Sequence, residues 1–144
     1  MLRFRRMDPD DLALVLQWER EIFKDAWSND NFNYEISNHE TSYPFLMFQD
    51  QEVAGYGVVL NLIEEIHINN IAVLPDFRGQ GLGSALIQHI LDSFPKHKEA
   101  WLEVRASNRV AIHLYEKFNF EPAVLRKSYY RDGENAVMMR RFSA

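Results

Sequence analysis

The run Arg78-Gly79-Gln80-Gly81-Leu82-Gly83 limits what this chain can fold into more than any other stretch. It follows an apolar segment, Ile71-Ala72-Val73-Leu74, and a turn signal at Pro75-Asp76, and it opens the amphipathic segment Leu82 to Phe94. Glycines at alternate positions let the main chain turn tightly and approach a ligand, because no Cβ stands in the way. Amides in the first turn of a helix lack partners, and the helix dipole adds partial positive charge there. Strand, glycine loop and helix start together predict a seat for a phosphate or pyrophosphate, and so a nucleotide-like cofactor. The plain alternative is a glycine-rich turn without a ligand. Arg78 and three glycines at a helix start are costly for that.

Missing residues narrow the ligand. A Walker loop needs Lys and then Ser or Thr after its last glycine, but Ser84 and Ala85 follow Gly83. A dinucleotide fingerprint read from Gly79 needs glycine at Ser84, and read from Gly81 it needs one at Leu86. Both registers fail, and no repeated βαβ pattern surrounds the loop.

Composition excludes several function classes. The 144 residues suit one domain with its own core, and 47% hydrophobic with 26% charged residues is the balance of a globular protein. No apolar run approaches the roughly 20 residues that cross a bilayer, and no apolar segment follows the early arginines as in a signal peptide. The expectation is a cytoplasmic protein without membrane contact. Cysteine is absent, which removes disulfides, thiolate ligands and cysteine nucleophiles. The five histidines are scattered without a zinc-ligand spacing, so no metal is expected. A net charge of -5 gives no basic field for nucleic acid and suits a cationic acceptor such as an amine.

Periodicity orders the chain. Leu2 to Met7 reads as a strand, Asp8 to Phe23 as a capped helix, and Ser28 as the N-cap of a second helix through Ile36. Pro44 to Phe48 and Gln51 to Leu60 read as a hairpin. Glu64 to Val73 is a fourth strand, with a bulge expected at Asn69-Asn70. After the glycine-loop helix come a strand at Ala100 to Val104 and a helix from a Ser107 cap to Phe118, with Asn119 as its break. A hairpin of Glu121 to Tyr130 and Glu134 to Phe142, turning at Asp132-Gly133, closes the chain. The order βααβββαβαββ is mixed α/β with one central sheet.

That order, with R-G-x-G-L-G after the fourth strand, resembles the GNAT acetyltransferase superfamily along the whole chain. Trp101-Leu102-Glu103-Val104-Arg105-Ala106-Ser107-Asn108 and Ala111 to Phe120 resemble the W-L-E-V-R-x-S-N…A-x-x-L-Y-x-x-x-G-F signature of RimI-type ribosomal-protein alanine N-acetyltransferases. Ala26-Trp27-Ser28, Ser128-Tyr129-Tyr130 and Ala136 to Met139 match further segments of that subfamily. Two positions depart: Ala26 where proline is common, and Asn119 where glycine is common. Asn adopts the left-handed conformation at a helix end, so the second departure is harmless. The resemblance implies one GNAT domain over 1–144, with a mostly antiparallel, twisted sheet of about seven strands flanked by about four helices. It implies acetyl-CoA as donor, no metal, and the N-terminus of a ribosomal protein as acceptor.

It also implies roles. Glu103, mid-strand and partly desolvated, would be the base that deprotonates the ammonium; by periodicity alone it is the polar face of a strand. Tyr115 would be the general acid for the thiolate; as a sequence feature it is a core aromatic, since Ala111, Leu114, Tyr115 and Phe118 share a face. Asn108 would bind the pantetheine or acyl region, or be an ordinary first-turn residue. Main-chain groups of Ile71, Ala72 and Val73 would pair with the pantetheine, and the loop Arg78, Gly79, Gln80, Gly81, Leu82, Gly83 and Ser84 would hold the diphosphate. Trp27, Tyr129 and Tyr130 would line the acceptor, with plain packing the alternative. Deprotonation at pH 7 costs about 1.4 kcal/mol for a chain α-amino group and about 4.6 for lysine, so one glutamate suits the former. A small amine or lysine acceptor, and a non-catalytic acetyl-CoA-binding module, remain as alternatives.

Overall fold

A computed structural model describes residues 1–143. These form one seven-stranded sheet and four α-helices in the chain order β1 (Leu2–Arg6), α1 (Leu12–Ile22), α2 (Asn29–Ser37), β2 (Ser42–Gln49), β3 (Glu52–Asn61), β4 (Glu65–Val73), α3 (Leu82–Ser93), β5 (Glu99–Arg105), α4 (Arg109–Lys117), β6 (Glu121–Arg126) and β7 (Ala136–Phe142). Across the sheet the order is β1-β2-β3-β4-β5-β7-β6. Only β4 and β5 run parallel, as the intervening α3 crossover requires.

Local chemistry starts each helix. Asp8 caps the turn before α1 in a reciprocal box with Asp11, and Arg5 grips the Asp11 carboxylate at 2.8 and 2.9 Å. Ser28 and Asn31 form the same box at α2, where Trp27 packs on Phe32 with centroids 5.1 Å apart, a hydrophobic staple. α4 is capped by Asn108, whose side chain accepts from the Ala111 amide, and not by the expected Ser107. The Ser107 amide is held by Glu134 instead. Asn119 ends α4 with φ 69°, the left-handed turn that asparagine tolerates.

Two cores sandwich the sheet. Under α3 and α4 lie Leu86, Ile87, Ile90, Leu102, Phe120 and Met139; under α1 and α2 lie Val15, Phe32, Ile36, Tyr56 and Val58. The bulge falls where the asparagine pair predicts it: Val58 pairs with Asn70 and Val59 with Ile68, which leaves Asn69 unpaired. The last hairpin is shorter than expected. β6 stops at Arg126 and β7 starts at Ala136, because the Asp132-Gly133 turn belongs to a loop of its own. Within it the Gly133 amide donates to the Tyr130 carbonyl and the Tyr130 amide to the Glu134 carbonyl.

Candidate active site

The parallel pairing of β4 and β5 spans Glu65↔Glu99 to Ile68↔Leu102 and then stops. Beyond it both strands continue, β4 to Val73 and β5 to Arg105, so the sheet splits into a cleft. On the β3 side of β4, the Leu74 amide donates to Ala54 and the Ala72 carbonyl lies against Gly55. Alternation then turns the main-chain groups of Ile71 and Val73 to the free edge. Those of Ala72 are occupied by β3, so of the expected trio only the outer two offer hydrogen bonds to a ligand. Arg78 folds back along this edge, its Nε 3.3 Å from the Val73 carbonyl.

The glycine loop ends the cleft. Gly79 (φ 80°) and Gly81 (φ 76°) take left-handed conformations, and a Cβ at either would meet nothing within 4 Å. Gly81 is the N-cap of α3 without a side-chain cap, and the first helical bond runs from Ala85 to Gly81. Among the described residues, no protein acceptor serves the amides of Gly79, Gln80, Gly81, Leu82, Gly83 and Ser84. Six unpartnered donors over open space at a helix N-terminus fit an anionic group of diphosphate size. Gly83 has a different reason to be glycine: a Cβ there would approach Leu114 Cδ2 to 3.0 Å, so it brings α3 close to α4.

Glu103 is the first β5 residue past the last β4 pair, on the wall of the cleft. It is exposed and not partly desolvated as expected, because β5 alternates and Glu103 falls on the face away from α3 and α4. Its charge raises the pKa of Tyr129, and it adds to burial in pushing Tyr130 up to about 12. The two phenol rings meet edge to face at 5.2 Å. Tyr115 is 7% exposed, and burial with a lesser contribution from Tyr130 pushes it up to about 12. Its hydroxyl makes no hydrogen bond among the described residues, and it is not one of the unpartnered polar atoms sealed from solvent. Glu103 thus acts on Tyr129 and Tyr130, and Tyr130 in turn on Tyr115. The Trp27 ring instead packs on Phe32 in the α2 staple. Asn108 commits its carbonyl oxygen to capping, which leaves its amide nitrogen for a ligand.

The model of the acetyltransferase (GNAT) family matches residues 12–120. The chain belongs to the GNAT acetyltransferase family. A GNAT relative from Escherichia coli K12, [ribosomal protein bS18]-alanine N-acetyltransferase, is 37% identical over 139 residues, covering 92% of each chain. The crystal structure of the Escherichia coli ribosomal-protein-S18-alanine N-acetyltransferase superposes with a TM-score of 0.89 at 34% identity, covering 99% of this chain and 94% of that one. The Ard1 structure from Thermoplasma volcanium matches with a TM-score of 0.88 at 25% identity, covering 99% and 98%. As a GNAT member the protein is an acetyl-CoA-dependent N-acetyltransferase. No group of metal-binding side chains occurs among the described residues, and no helix there is long and apolar enough to cross a membrane.

Two residues of this GNAT site escaped sequence reasoning. Glu19 on α1 is 1% exposed, and its carboxylate accepts from the Trp27 amide (2.9 Å), the Tyr56 hydroxyl (2.8 Å) and Asn70 Nδ2 (3.0 Å). It ties the α1–α2 loop to the β4 bulge, the point where β4 turns from its pairing with β5. A carboxylate on an apolar helical face was the only signal, and it identifies no partner. Arg105 joins Asp25 of the α1–α2 loop, Asp132 (2.9 Å) and Glu134 (2.8 Å) of the β6–β7 loop, and lies 4.1 Å over the Tyr130 ring. Its clamp draws together the two loops that flank Glu103.

Proposed function

We propose that the protein transfers an acetyl group from acetyl-CoA directly to the α-amino group of a polypeptide, the N-terminal alanine of a ribosomal protein, within a ternary complex. One observation carries the reading: the free edge of β4 and the exposed Glu103 carboxylate flank one cleft, with six unpartnered loop amides at its end. The names of the relatives support the acceptor, and so does the modest cost of deprotonating an α-amine.

In this reading the amides of Gly79 to Ser84 and Arg78 hold the diphosphate, and the free main-chain groups of Ile71, with the second lone pair of the Val73 carbonyl that Arg78 leaves open, pair with the pantetheine. An amide at or beside Val73 faces the acyl oxygen and stabilises the oxyanion. Glu103, directly or through a water, takes the first proton from the ammonium. The amine nitrogen then bonds to the thioester carbon, the carbon–sulfur bond breaks, and a second proton leaves as the amide forms. The departing sulfur takes up one proton and solvent receives the other. Tyr115 keeps its proton at neutral pH and presents it to the sulfur. Complete transfer to a thiolate with a pKa near 8.5 would run about 5 kcal/mol uphill. The Tyr115 hydroxyl therefore acts by hydrogen bonding to the developing charge, with solvent completing the protonation.

Intact-mass analysis of ribosomal proteins and of a panel of small amines, each incubated with the enzyme and isotopically labelled acetyl-CoA, tests the reading. The expected result is one acetyl group on an N-terminal alanine. Label found only on polyamines, amino acids or lysine side chains would overturn it.

A further inference from the structure

The faces of the sheet are unequally covered. Ala100, Leu102 and Val104 of β5 pack under α3 and α4, which sends Glu99, Trp101, Glu103 and Arg105 to the opposite face. On that face the buried core beneath α1 and α2 takes its strand residues from β2, β3 and the end of β4, with none from β5, β7 or β6. Half of one sheet face therefore carries no helix.

This bare half is neither featureless nor loosely polar. His67 stacks on Trp101 at 6.4 Å and 16°, and the Arg140 guanidinium lies 5.1 Å over Trp101 and 4.6 Å over Phe142. Glu65 fixes His67 at 2.7 Å and Glu99 accepts from Trp101 Nε1 at 3.1 Å, so the rings are braced from both sides. Phe142 is 60% exposed, and Val124, beside Met138, is 45% exposed. Preset aromatic and arginine side chains on an open face are the composition of binding hot spots.

The face runs up to the cleft at Glu103. Beyond Glu103, the Arg105 clamp joins both flanking loops, and Ala136, opposite Arg105, is fully buried. A chain whose terminus lies at Glu103 meets the clamped loops on one side and the uncovered sheet face over Trp101 on the other. From Glu103 back to Glu99 is about 13 Å at roughly 3.3 Å per residue, the span of four or five extended residues. Charge describes that segment: Glu65, Glu99, Glu103 and Glu121 outnumber Arg105, Arg126 and Arg140 on this face, and Arg105 is committed to Asp25, Asp132 and Glu134.

We propose that the bare face from Glu103 through Trp101 and Arg140 to Phe142 docks the extended, cationic segment that follows the N-terminus of a polypeptide acceptor. The proposal rests on the polypeptide-acceptor reading above, and it adds that recognition extends past the first residues. A small amine would have no use for this surface.

The test compares kcat and KM for a four-residue alanine-first peptide and two twelve-residue extensions of it, one rich in Arg and Lys and one with Glu at those positions. Wild type is expected to show the lowest KM for the long cationic peptide. Phe142→Ala and Glu121→Gln are each expected to raise that KM several-fold, with kcat held and the short-peptide KM changed less than twofold. Equal KM values for all three peptides in wild type, or equal effects of the substitutions on short and long peptides, would overturn the docking surface and leave the acceptor reading standing. Transfer to none of the peptides would overturn both. A dimer in sedimentation velocity that Phe142→Ala dissociates would assign the face to a second copy and overturn the proposal.

Discussion

The Tyr115 hydroxyl has no protein partner to lose, so Tyr115→Phe removes a donor without orphaning another buried group. The expected outcome is a fall in kcat of about a hundredfold, in the range of a lost hydrogen-bond donor to developing charge, with melting temperature unchanged. Thermal denaturation beside steady-state rates checks it, and a matching loss of stability would return Tyr115 to plain packing. Single residues were unevenly legible in the sequence. Asn119 was readable because a helix end asks for a left-handed residue and few side chains accept it. Glu103 was found through its motif, while its exposure depends on which face α3 and α4 cover, and no local pattern encodes that. Glu19 and Arg105 lay hidden because their partners, Asn70 and Asp132, are 51 and 27 positions away.

At the scale of elements, the glycine loop was readable because its physics is local: backbone freedom, a turn and a helix start within a few residues. Gly81→Ala isolates that physics. A Cβ at Gly81 meets no neighbour, so the chain still folds, but the left-handed N-cap costs about 1–2 kcal/mol in any other residue. A shifted loop would also lose at least one charge-assisted bond to the diphosphate, about 1.5–3 kcal/mol. Calorimetric titration is therefore expected to show coenzyme A binding weakened roughly tenfold or more, with a modest drop in melting temperature. Undiminished affinity would move the diphosphate elsewhere. The bulge at Asn69 was equally local. The last hairpin was not, since Glu134 is drawn away from β6 by the Ser107 amide and Arg105, contacts made across the fold.

For the whole molecule, His89 links stability to acidity. Its ring stacks on Phe4 at 3.7 Å, bonds the Tyr43 hydroxyl at 2.8 Å, and has its pKa lowered by burial, partly offset by Asp92. The folded state prefers the neutral ring. This contribution is whole above the unfolded value of about 6.5 and is lost as pH falls through the depressed folded value. Melting curves at pH 7 and pH 5 are expected to show a smaller loss for His89→Gln, which keeps hydrogen-bonding capacity without titrating; identical losses would show that His89 does not contribute. The overall architecture was legible because element order and one parallel crossover leave few ways to lay out a single sheet. The four ladder rungs between β4 and β5 have a mechanical consequence. They are the narrow seam between the first four strands and the last three, and a coenzyme lodged in the gap would mortar it. The donor substrate is then also a keystone, firming the very halves that must stay in register while the acetyl group changes hands.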